Sequence, residues 1–101
     1  MEKLKAHYNL DKLIYLIEQN KYIITGIASQ NALQDFGFSQ GDILKIIKKL
    51  ENADFYKSMT KHDNHKIWQD VYHKKISTKE TAYIKLQIID EKSVVIQFKE
   101  K

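Results

Sequence analysis

The chain of 101 residues contains no cysteine, no arginine and no proline, and only three glycines, Gly26, Gly37 and Gly41. Without cysteine there is no disulfide and no thiolate metal site. Without arginine, every phosphate contact must come from lysine, a point charge that lacks the bidentate fork of a guanidinium. No apolar run approaches the roughly 20 residues that span a bilayer. The opening MEKLKAHYNL is charged and lacks the apolar stretch of a signal peptide, so a cytoplasmic location without membrane contact is expected.

Apolar residues make up 43% of the chain and recur periodically. That is enough for a single domain over residues 1–101 with one modest core. The net charge is +4, and all 17 basic residues are lysines. Residues 57–85 hold seven of them against only Asp63, Asp70 and Glu80, while elsewhere ten lysines face ten acids. His62, His65 and His73 fall in the same window. A local basic patch of this kind points to a polyanion, nucleic acid first. A solvated lysine-rich surface would give the same charge count.

The hydrophobic period changes halfway along. Asn9 is placed to cap a helix carrying Leu10, Leu13, Ile14 and Ile17. Residues 21–25 read as a strand or extended link, and residues 28–36 as a short helix closed by Gly37. Ser39 and Asp42 form a capping-box pattern ahead of a helix to about residue 51. From there the chain alternates. Ala82, Ile84, Leu86 and Ile88 face one way, and Tyr83, Lys85 and Gln87 the other. Val94, Ile96 and Phe98 read as core, Gln97 and Lys99 as outward, with residues 90–93 as the hairpin turn. Two more strands are expected around a loop at 61–65. The fold class is α+β, with N-terminal helices on one face of a C-terminal antiparallel sheet. The other face would carry Tyr83, Lys85, Gln87, Gln97 and Lys99. Lysines hold phosphates, aromatic rings stack on bases and glutamines read base edges, so this surface suits single-stranded RNA.

The stretch DFYKSMTKHDNHKIWQDVY (54–72) is dense in titratable and hydrogen-bonding side chains. Within it HDNH (62–65) suggests a metal. A hairpin loop is a poor rigid scaffold, however, and no third strong ligand is spaced nearby, so neither a metal nor any other cofactor is expected. His65 is instead a candidate accessory acid–base or RNA contact. Tyr56 and Trp68 are expected to pack in the core or sheet, Trp68 on the face opposite Gln69.

DFYKSMT (54–60), IWQDVY (67–72), YIKLQII (83–89) and the terminal VIQFKEK (95–101) together resemble the motility quorum-sensing regulator toxins, in order and spacing. The likeness is close from residue 54 onward. Before that it is mostly a pattern of elements. It implies a RelE-like fold and a type II toxin–antitoxin toxin that cleaves mRNA at GC-containing trinucleotides. It further implies a zinc-binding, DNA-binding antitoxin as partner, through which the toxin would meet operator DNA indirectly. By the same resemblance Lys57, Gln69, Tyr83 and Lys99 are the functional side chains. The linker HKKISTKETA (73–82) departs from the family pattern.

The implied chemistry is metal-independent cleavage by the substrate's own 2′-hydroxyl, which needs a base, charge stabilisation at phosphorus and an acid for the leaving oxygen. Lys57 and Lys99 are candidate charge stabilisers, either of which could titrate if crowding by other lysines lowers its pKa. Tyr83 is a candidate proton donor or stacking platform, and Gln69, which cannot titrate, a positioning or base-reading group. Lys85 and Gln97 are candidate substrate contacts on the same face. Each has a structural rival: a lysine stem covering apolar surface, a packing tyrosine, a buried amide. A non-catalytic RNA- or DNA-binding regulator would use the same face, as would a subunit that binds only an acidic protein.

Overall fold

The computed structural model describes residues 1–101. A short strand β1 (Glu2–Lys3) leads to helix α1 (Leu10–Glu18), strand β2 (Tyr22–Ile24), helix α2 (Gly26–Phe36) and helix α3 (Gln40–Lys48). A single 3₁₀ turn at Asn52–Asp54 then opens the strands β3 (Phe55–Lys61), β4 (Asn64–Lys75), β5 (Thr81–Ile89) and β6 (Lys92–Glu100). The expected α+β layering is present. The sheet, however, has six strands in the order β1-β3-β4-β5-β6-β2, because the N-terminal half adds one strand to each edge. All pairings are antiparallel except β2 with β6.

Local chemistry sets the helix ends. Asn9 Oδ1 accepts from the Lys12 amide at 2.9 Å, and Thr25 Oγ1 from that of Ala28 at 3.2 Å. Ser39 and Asp42 exchange both bonds of a capping box. Gly37, at φ 71°, closes α2 in the left-handed region that a side chain disfavours. The helices bury Leu13, Ile17, Ala28, Ala32, Ile43 and Ile47 against Tyr72, Ala82, Ile84, Leu86, Val95 and Phe98 of the sheet.

Strand β6 departs from simple alternation. Lys85 pairs with Gln97 but Leu86 with Val95, so Ile96 is an extra residue, a β-bulge. Phe98 stays in the core as expected, but Val95 replaces Val94 there. Val94 is level with Gln87 and Ile23 on the uncovered face. The bulged Ile96 carbonyl accepts from the Thr25 hydroxyl at 3.0 Å, tying the bulge to the start of α2.

A second bulge lies in β3, where Phe55 pairs with Tyr72 and Lys57 with Val71, leaving Tyr56 unpaired. The β3–β4 loop is tighter than expected, since Lys61 already pairs with Asn64. Much of the 73–82 linker is strand as well: His73, Lys74 and Lys75 pair with Tyr83, Ala82 and Thr81. At the far end Ile89 pairs with Lys92 across Asp90 and Glu91, both at positive φ, the mark of a type I′ hairpin turn.

The N-terminus is held by long-range polar bonds. The Met1 ammonium donates to Thr60 Oγ1, and the Thr60 amide donates to Met1 O. The fully buried Asp70 carboxylate accepts from the His7 and Tyr8 amides at 2.9–3.1 Å. Trp68 packs beside this segment, with His7 stacked on it at 5.6 Å and Lys3 Nζ 4.1 Å from its ring centre. It pairs with Thr60, one residue out of step with Gln69 and so on the opposite face, as expected. No helix is long and apolar enough to cross a membrane.

Candidate active site

The face of the sheet left uncovered by helices gathers the chemistry. Sheet register builds it in rows, since residues directly opposite one another share a face. One row runs Lys57, Val71, Lys85, Gln97 across β3 to β6. The next runs His73, Tyr83, Lys99 across β4 to β6. Val71 is fully buried although no helix covers it, because its neighbours close over it. The Tyr83 ring is the centre of the cluster. Lys99 Nζ lies 5.3 Å and Lys85 Nζ 6.0 Å from its ring centre, and the His73 imidazole 5.9 Å away. On the other side His73 stacks on Tyr56 at 4.2 Å, nearly parallel at 22°. Lys57 Nζ sits 5.5 Å from the Tyr56 ring centre and is ion-paired to the Glu2 carboxylate.

The charges are unequal in character. The hydrogen bond that Lys57 Nζ donates to the Glu2 carboxylate raises the Lys57 pKa, so Lys57 is a firm cation and not a proton shuttle. The lysine whose pKa is lowered is neither of the two candidates, Lys57 and Lys99, but Lys85, through burial first and then Lys99 and Lys57. Burial raises the Tyr83 pKa, with Lys57 opposing it, so the phenol is protonated at neutral pH. Burial lowers the His73 pKa, and Lys101 and Lys57 lower it further.

Lys57, Tyr83, Lys85 and Lys99 are therefore brought together. Gln69 lies two residues along β4 from Val71, in the floor of the same face. It is buried, 6% exposed, and its Nε2 donates to Gln87 Oε1 at 2.8 Å. Gln97 turns toward α2, and its Oε1 accepts from Asn31 Nδ2 at 3.0 Å and from the Phe98 amide. His65 stands apart at the β3–β4 hairpin, eight residues from His73 and so about 26 Å along the strand. With His62 it lines a pocket of about 220 Å³ beside Met1 and Met59. No cluster of three or more His, Asp or Glu side chains suited to a metal forms in the chain.

Three contributors escaped the sequence reading. Tyr56 was expected to pack in the core or sheet, but the β3 bulge turns it outward, 50% exposed. Glu2 reaches Lys57 only because β1 docks beside β3. His73 had a legible signal: it continues the every-second-residue row that begins at Gln69, and a strand reaching residue 73 puts it on the same face.

Fold and cluster define a small α+β protein whose open sheet face is cationic and aromatic. A family model described as the motility quorum-sensing regulator, toxin of MqsA, matches residues 5–100. A relative, the mRNA interferase toxin MqsR of Escherichia coli (strain K12), is 35% identical over 101 residues, 100% of each chain. The chain belongs to the motility quorum-sensing regulator toxin family.

Proposed function

We propose that this chain is the toxin of a type II toxin–antitoxin module, an endoribonuclease that cleaves mRNA on the open face of its sheet without a metal and so arrests growth. Its substrate is mRNA at GC-containing trinucleotides, and its location is the cytoplasm. The observation that carries the reading is the convergence of Lys85 and Lys99 on the Tyr83 ring, with Lys57 in the same row as Lys85, in a chain with full-length likeness to an mRNA interferase.

In the proposed reaction the 2′-oxygen attacks phosphorus and the 5′-oxygen leaves. Negative charge grows on the phosphoryl oxygens, and Lys57 and Lys99 stabilise it. Lys85 contacts the phosphate from between them. Tyr83, protonated at neutral pH, donates to the leaving oxygen. Gln69 and Gln87 shape the floor on which a base is positioned. The partner is an antitoxin encoded beside the toxin. Its zinc-binding and DNA-binding character, and hence indirect contact with operator DNA, follow from the family likeness, and the toxin's basic charge favours an acidic antitoxin segment.

The test is incubation of purified protein with a defined RNA in EDTA, with both product ends mapped. Cleavage at GC-containing sites, leaving a 2′,3′-cyclic phosphate and a 5′-hydroxyl, is expected. Cleavage that disappears on chelation and returns with a divalent ion would remove the metal-free mechanism. Tight RNA binding without any cleavage would leave a non-catalytic regulator.

A further inference from the structure

Attack by a 2′-hydroxyl requires a group that takes its proton, and the side chains assigned so far do not supply one. Lys57 is held cationic by Glu2, Tyr83 holds its proton, and Lys85 and Lys99 are committed to the phosphate. His73 lies between Tyr56 and Tyr83, at 4.2 and 5.9 Å between ring centres, in the strand directly beside each. Neither of its ring nitrogens is hydrogen-bonded within the protein, and neither is a buried atom without a partner. Both therefore reach solvent.

We propose that His73 is the general base of the cleavage reaction, an assignment that rests on the endoribonuclease reading above and completes it. The proton of the 2′-hydroxyl passes to the free imidazole nitrogen as the 2′-oxygen–phosphorus bond forms. The phosphorus–5′-oxygen bond breaks, and the 5′-oxygen takes the Tyr83 phenolic proton. The products are a 2′,3′-cyclic phosphate, a 5′-hydroxyl, an imidazolium and a tyrosinate, and water returns the two side chains to their starting states. The Lys57 cation, which opposes the rise of the Tyr83 pKa on burial, favours the transient phenolate. The stacked Tyr56 fixes the plane of the imidazole.

The surroundings keep the base neutral. The titratable and charged groups around His73 are Tyr56 and Lys57 on β3, with Glu2 of β1 behind Lys57. Lys75 is on its own strand, Tyr83 and Lys85 are on β5, and Lys99 and Lys101 are at the end of the chain. Burial disfavours an imidazolium first, and Lys101 and Lys57 of this lysine-rich shell add to it. A base with a lowered pKa is active above that pKa and lost as pH falls through it. The acidic limb of kcat/KM therefore lies below the ordinary histidine value of about 6.5.

Two variants test this on a defined RNA in EDTA, with rates followed from pH 5 to 8.5 and thermal melts alongside. His73→Phe keeps the ring stack on Tyr56 and removes the nitrogens. His73→Gln keeps a polar group and removes titration. Each is expected to lower kcat by about 10²–10⁴, leave KM within a few-fold and abolish the acidic limb, because a positioned base contributes that much. Melting within a few degrees of wild type in at least one variant separates this from misfolding. A His73→Phe protein that cleaves at the wild-type rate with the wild-type limb overturns the assignment and leaves His73 as a stacking residue only. A wild-type protein that does not cleave RNA overturns the nuclease reading and this assignment with it.

Discussion

Replacing Gln69 separates structure from recognition. Gln69 and Gln87 are 6% and 3% exposed, and Gln69 Nε2 donates to Gln87 Oε1 at 2.8 Å. In Gln69→Leu the Gln87 oxygen keeps its burial and loses its donor. An unsatisfied buried acceptor costs about 1–3 kcal/mol. At about 2 kcal/mol, a chain of this length should lose roughly 8–16 °C in Tm. The double variant Gln69→Leu with Gln87→Leu replaces both partners by apolar groups of similar shape, a change that is often nearly neutral. It should therefore melt closer to wild type than either single variant, a coupling that only a double-mutant cycle isolates. RNA cleavage measured on the same three proteins then divides the roles. If Gln69 only supports the floor, the double variant recovers activity together with stability. If Gln69 also positions a base, stability returns but the ranking among RNA sites shifts by about 1–3 kcal/mol, the size of a lost base-reading pair. A Gln69→Leu protein melting within a degree or two of wild type would refute the premise that the amide pair is a buried, mutually dependent unit.

Lys57→Ala should lower the cleavage rate by about 10²–10³ at every RNA site alike, since it removes preorganised charge rather than sequence reading; a wild-type rate would show that its stem merely covers Val71 and removes it from the site. Asp70→Ala deprives the His7 and Tyr8 amides of a buried charged acceptor, and should destabilise the fold by about 1.5–3 kcal/mol or more. Amide hydrogen exchange at His7 and Tyr8 should quicken markedly, and unchanged protection would show that β1 docks without this carboxylate.

The sequence by itself determined the fold class and most element ends. A 3.6-residue period gives way to a period of two, and each is set by residues a few positions apart. Asn9, Ser39 with Asp42, and Gly37 act on backbone groups within a turn of themselves, so their roles are local and legible. The alternation of Tyr83, Lys85 and Gln87 likewise fixed which side chains share the open face. The tertiary structure alone decided the rest. The bulges at Tyr56 and Ile96 arise from mismatched register between whole strands, and one of them moved Val95 into the core in place of Val94. Gln69 is buried because Gln87, on the neighbouring strand, offers it a partner. Glu2 meets Lys57 across 55 residues of sequence, and Asp70 meets His7 across 63. Such contacts leave no periodic trace, because they become favourable only after the chain has closed long loops and ordered both partners. The open face was therefore readable as a surface, but which of its lysines is held cationic, and which histidine lies among them, depended on packing.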